Sequence, residues 1–142
     1  MYNSILLAVD INDPEGAKKP AAVALAQAKA APGAAVHIVN VVPDIGMALV
    51  GSFFTADHNG QILAEAREGL KTWAADILSE LPGTTLHIDQ GTVYDKILDE
   101  AERVSADLIV VGAHRSQLKD YLIGPNAARI ARHATCSVLV VR

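Results

Sequence analysis

Short apolar runs and longer amphipathic stretches alternate along the chain. Ser4 to Asp10 (SILLAVD) is apolar at successive positions and ends in an acid, the pattern of a strand buried on both faces. Asp13-Pro14-Glu15 supplies a helix cap and a proline in the first turn. Alanine-rich sequence then runs to Ala31, where Pro32-Gly33 stops it. Pro20 interrupts that pattern, so the helix either begins near Lys18 or bends there. Val36 to Val42 (VHIVNVV) predicts a second strand, ended by Pro43.

From Gln61 to Leu81 the apolar positions Ile62, Ala66, Leu70, Trp73, Ile77 and Leu81 fall on one helical face, which makes Trp73 a core residue. Thr84 to Asp89 predicts a third strand. Thr92 caps the next helix, and Asp95 is spaced to complete a capping box. That helix buries Val93, Ile97, Ala101 and Val104. Asp107 to Ala113 predicts a fourth strand, Pro125 to Ala134 a last helix, and Cys136 to Arg142 a fifth strand. Such alternation predicts an α/β fold: a five-stranded, mostly parallel, doubly wound sheet with helices on both faces and right-handed crossovers. Residues 1–142 read as one domain.

The connection 43–60 (PDIGMALVGSFFTADHNG) is long for a compact domain. Its Met47, Leu49, Val50, Phe53 and Phe54 either fold back on the neighbouring helix or face a partner.

Composition narrows the function classes. Aromatic residues make up 4% of the chain, too few for a base-stacking platform. A net charge of −4 offers no general attraction to nucleic acid. Mean hydropathy is +0.25, yet no apolar run approaches the roughly 20 residues a membrane helix needs. Neither a nucleic acid nor a membrane is therefore an expected partner. The N-terminus reads as a first strand and not as a signal peptide. Cys136, the lone cysteine, cannot form an internal disulfide and fits a reducing compartment, with the cytoplasm as the default.

In a sheet of order 3-2-1-4-5, ligands bind beyond the carboxyl ends of strands one and four, where the order reverses. Those ends are Ala8-Val9-Asp10 and Gly112-Ala113-His114-Arg115, with Val41 at the end of strand two. Asp10 can accept hydrogen bonds from ribose hydroxyls, and it can equally cap the following turn. Gly112 permits close backbone approach, and His114 and Arg115 can meet phosphates. Gly124 opens the last helix, whose N-terminal amides favour an anion. Each glycine can also serve a turn alone.

With SILLAVDINDPE at its start and GAHRSQLKDYLIGPNAARIARHATCSVLVVR at its end, the chain resembles the universal stress protein family, closest to its short F-type bacterial members. The resemblance covers essentially the whole chain. It implies the adenine nucleotide alpha hydrolase-like fold and a site for ATP, with or without Mg2+, or for another adenine nucleotide. The positions matching the family's adenine and ribose contacts are Ala8, Val9, Asp10 and Val41. Those matching its phosphate motif are Gly112, His114, Arg115, Gly124, Pro125, Asn126 and Ala127. Arg115 replaces the motif's second glycine, and the spacer to Gly124 is one residue short. Pro125 stands where Ser or Thr is usual, removing a hydroxyl and a backbone N–H.

Three functions follow: an ATP-binding stress protein, a dimeric interaction module without nucleotide, and a slow ATP hydrolase. No Walker lysine or carboxylate pair supports strong catalysis. No metal site is expected in the chain itself. A receiver or flavodoxin-like reading fails at the strand ends, which lack a phosphoacceptor acid and a Ser/Thr-rich loop. The apolar final strand lies at a sheet edge with no later element to cover it, which predicts a homodimer through that strand.

Overall fold

The computed structural model describes residues 1–44, 56–113 and 123–142. Its elements, in chain order, are β1 (Ser4–Val9), α1 (Pro14–Ala30), β2 (Ala35–Val42), α2 (Ala56–Trp73), α3 (Ala75–Glu80), β3 (Thr85–Gln90), α4 (Val93–Arg103), β4 (Leu108–Gly112), α5 (Pro125–His133) and β5 (Ser137–Val141). The five strands form one sheet of order β3-β2-β1-β4-β5. Every neighbouring pair is parallel, with Leu7 opposite Ile38 on one side and Val110 on the other.

Alternation along β1 explains its unbroken apolar run. Ile5, Leu7 and Val9 join the layer under α1 and α2, while Leu6 and Ala8 join the layer under α4 and α5. A centre strand covered on both faces leaves no position for a polar side chain. In α1 the buried face is small (Ala17, Ala21, Ala24 and Ala28), which lets the helix lie close to the sheet.

Several local expectations need correction. α1 starts at Pro14 and carries Pro20 within it, so it does not begin at Lys18. Its cap is as expected: the Asp13 side chain accepts from the Gly16 N–H at 3.3 Å. The predicted helix 61–81 is two helices meeting at the fully buried Ala74, and the first starts five residues earlier, at Ala56. Trp73, expected in the core, is half-buried against it. Thr92 holds the cap position of α4, but its side chain makes no capping hydrogen bond, so the capping box is not formed. The apolar residues of the 43–60 connection lie outside the described residues. Among the described residues, no helix is long and apolar enough to cross a membrane.

Candidate functional site

A crevice of about 460 Å³ opens beyond the carboxyl ends of β1 and β4. The strand order makes it: β1 continues to β2 on one side, while β4 begins the opposite half, so the loops after β1 and β4 turn apart. Ala8, Val9, Asp10, Val41, Gly112, Gly124, Pro125, Asn126 and Ala127 all line it. His114 and Arg115 lie outside the described residues.

One wall is fastened by side chains. Asp10 Oδ1 accepts from the Asn12 N–H at 2.9 Å, and the Asp10 carbonyl accepts from the Asp13 N–H at 2.9 Å. Asp10 therefore caps its turn. A carboxylate offers about four acceptor positions, so capping and ligand contact are compatible. Beneath the loop, Asn40 is 3% exposed, and its Oδ1 accepts from the Ile11 N–H at 3.2 Å. Asn40 thus ties the β1–α1 loop to β2, beside Val41. Its only sequence signal is a lone amide inside VHIVNVV.

The opposite wall is built from backbone. The Ala113 N–H donates to the Val141 carbonyl, and the Ala113 carbonyl accepts from the Gly124 N–H, which brings both ends of the intervening connection together. Gly124 is the N-cap of α5 and has no side chain with which to cap it. Pro125 has no N–H, so the Asn126 and Ala127 amides are the donors of this first turn. The first turn contains no acid, whereas Arg132 and His133 sit in the last turn, where they complement the negative end of the dipole. An anion suits such an N-terminus.

Two further surfaces complete the crevice. Gly16, Ala17 and Pro20 of α1 and Val93 and Ile97 of α4 line it as well. The sequence places Val93 and Ile97 in a helix stripe and Pro20 at an interruption, and it singles out neither Gly16 nor Ala17. A Cβ on Gly112 would lie 3.5 Å from Pro20 Cγ and 3.6 Å from the Gly16 carbonyl oxygen, both ordinary contacts. An alanine would thus fit there, and it would point at α1. Among the described residues, no group of three or more His, Cys, Asp or Glu is placed to hold a metal ion.

The profile of the Universal stress protein family matches residues 1–142. Universal stress protein G of Shigella flexneri is 31% identical over 145 residues, covering 100% of both chains. Among solved structures, universal stress protein UspA from Lactobacillus plantarum superposes with a TM-score of 0.75 at 22% identity, covering 99% of this chain and 98% of that one. A universal stress protein solved in complex with cAMP gives 0.62 at 20% identity, with 99% and 97% covered.

Proposed function

The chain belongs to the universal stress protein family, and on that premise we propose that it binds ATP or a related adenine nucleotide in the β1–β4 crevice and serves in the cytoplasm as a dimeric stress-response regulator or protective factor. The observation that carries this reading is the pairing of two unlike walls across one crevice: Asp10 and Val41 on one side, the α5 N-terminus on the other. Val41 and Ala8 give an adenine ring apolar surface. Asp10 accepts from the ribose hydroxyls, and the amides of Asn126 and Ala127 receive phosphate oxygens. The cAMP bound by one structural relative is a ligand of this chemical class. Magnesium, where it takes part, is held by phosphate oxygens and water with little help from the chain. The family resemblance adds His114 and Arg115 as phosphate contacts, with Arg115 supplying charge where Pro125 withholds a hydroxyl. If so, Arg115→Ala weakens ATP more than adenosine in calorimetric titration; equal losses would remove it from the phosphates.

Mass analysis of small molecules released from the freshly purified, heat-denatured protein tests the reading. A stoichiometric adenine nucleotide is expected. Pro125 favours a second reading, an interaction module without nucleotide, and an empty protein that also ignores added ATP would establish it. Turnover of added ATP with magnesium would replace binding with slow hydrolysis.

The dimer forms through β5. Val141 directs its carbonyl toward β4, to the Ala113 N–H. Successive residues of a strand alternate in direction, so Val140 directs its N–H and carbonyl to the open edge. A second copy presenting the same edge would pair both. Light scattering on the intact protein is expected to give about twice the chain's 15.0 kDa. Val140→Pro removes an outward donor without touching the β4 ladder and should shift the mass toward monomer. A wild-type mass of one chain at micromolar concentration rules the dimer out.

A further inference from the structure

Away from the crevice, the sheet face beneath α4 carries a polar cluster in an otherwise apolar layer. Thr85, His87 and Asp89 alternate along the edge strand β3, and α4 brings Glu100 and Arg103 against them. Glu100 is 0% exposed. Arg103 Nη1 lies 2.5 Å from Glu100 Oε2 and 4.0 Å from Asp89 Oδ1, so it gathers one oxygen of each carboxylate. The other two oxygens, Glu100 Oε1 and Asp89 Oδ2, are buried without a directed hydrogen bond. His87 Nδ1 comes within 2.7 Å of Glu100 Oε1, an ion pair when the imidazole is protonated, although no directed hydrogen bond to that oxygen is formed. The Asp89 carboxyl is within hydrogen-bonding reach of Glu100.

Buried carboxylate oxygens lacking donors are costly, and neighbouring carboxylates resist double ionisation. We propose that Asp89 and Glu100 are a proton-binding pair, sharing one proton between their carboxyl groups and thereby fastening α4 to β3. The same helix carries Val93 and Ile97 into the crevice, so loosening this fastening would move a crevice wall. That consequence rests on the crevice reading; the proton site itself does not.

The surrounding charges set the pH dependence. Burial pushes the Glu100 carboxyl above its ordinary 4.5; the charge of His87 opposes this, the hydrogen bond and charge of Asp89 add to it, and Arg103 opposes it. On β2, His37 Nδ1 lies 2.5 Å from Thr85 Oγ1, which in turn lies 2.9 Å from His87 Nε2. Burial, and then His87, hold His37 below its ordinary 6.5. On the outer side of α4, Lys96 and Asp99 pair with each other at 3.8 Å, and Asp95 and Glu102 are exposed. A raised carboxyl stabilises the fold at low pH, and that contribution is lost as pH rises through the folded value. A lowered imidazole acts oppositely: its contribution is present above 6.5 and lost as pH falls through the folded value. Variants are needed to separate the two.

Carbon-detected NMR of the carboxyl groups in the full chain tests the proposal directly. The Asp89 and Glu100 signals should titrate in two shared steps, the upper one above the ordinary carboxylate range. In Glu100→Gln the amide donates to Asp89 where the proton sat, so the upper step should vanish. As pH rises from the ordinary carboxylate range through the folded value, wild-type stability should fall relative to that variant, about tenfold in the folded-to-unfolded ratio per unit of raised pKa. Should Glu100→Gln fail to fold, Asp89→Asn serves: its amide donates to Glu100, whose titration should drop to lower pH. Two carboxyls ionising at or below ordinary values, a flat stability difference, or an unmoved Glu100 in Asp89→Asn would each overturn the pair. None of these readouts needs a nucleotide, so an empty crevice would leave the test intact.

Discussion

The two walls of the crevice satisfy their polar groups in different ways. On the β1–β2 side, Asp10, Asp13 and Asn40 each accept a hydrogen bond from a neighbouring backbone N–H. On the β4–α5 side, backbone pairs with backbone through Ala113, and the helix start has only a glycine and a proline before its first donors. The first wall is shaped by the chain itself. The second offers amides and a dipole end that an anion completes. A nucleotide has the matching asymmetry, with a nucleoside at one end and phosphates at the other.

The largest expected effect is at Asp10. If Asp10 accepts from the ribose hydroxyls as proposed, Asp10→Ala should cost about 1.5–3 kcal/mol, roughly ten- to a hundredfold in Kd. ATP and adenosine should lose equally in titration, because both carry the ribose; a loss confined to ATP would move Asp10 to the phosphate side.

Asn40→Ala comes next. It leaves the part-buried Ile11 N–H without its acceptor and should destabilise the protein by about 1–3 kcal/mol in denaturant unfolding. Unchanged stability would mean that the loop keeps its shape without that bond.

A smaller effect, of opposite sign, is expected for Pro125→Ser. It returns one N–H and one hydroxyl to the helix start and should tighten ATP by about 0.5–1.5 kcal/mol, the worth of one hydrogen bond, with adenosine unchanged. No gain for ATP would show that the α5 start does not meet phosphate.

Gly112→Ala should be smallest. The added methyl meets Pro20 and the Gly16 carbonyl at ordinary distances, so stability should move within about 0.5 kcal/mol. A large loss of affinity with stability intact would restore Gly112 as a point of close ligand approach.

The difference between the walls also marks what sequence could reveal. The strands were legible because β1 and β4 are covered on both faces and read as unbroken apolar runs. The order of elements then placed Asp10 opposite Gly112 and Gly124. The α4 wall was not legible: Val93 and Ile97 look like any buried stripe, and only tertiary packing carries that helix to the crevice. The break at Ala74 left no sequence mark, because alanine suits either side of it. Glu100, inside DEAER, reads as a solvated acid. It is buried by helical phase, one turn beyond Ile97, where α4 folds back on β3 and sets it against His87, with Arg103 one turn further along the same helix. Thr92 and Asp95 had the spacing of a capping box without its geometry, which shows that spacing permits such a bond and does not compel it.

On the proposed reading, one crevice holds a nucleoside against one wall and phosphates against the other. Parallel calorimetric titrations of the wild-type protein with ATP and with adenosine test it most directly. Saturable one-to-one binding of both, with ATP the tighter, is the expected result. Equal affinity for the two, or no saturable binding of either, would contradict it.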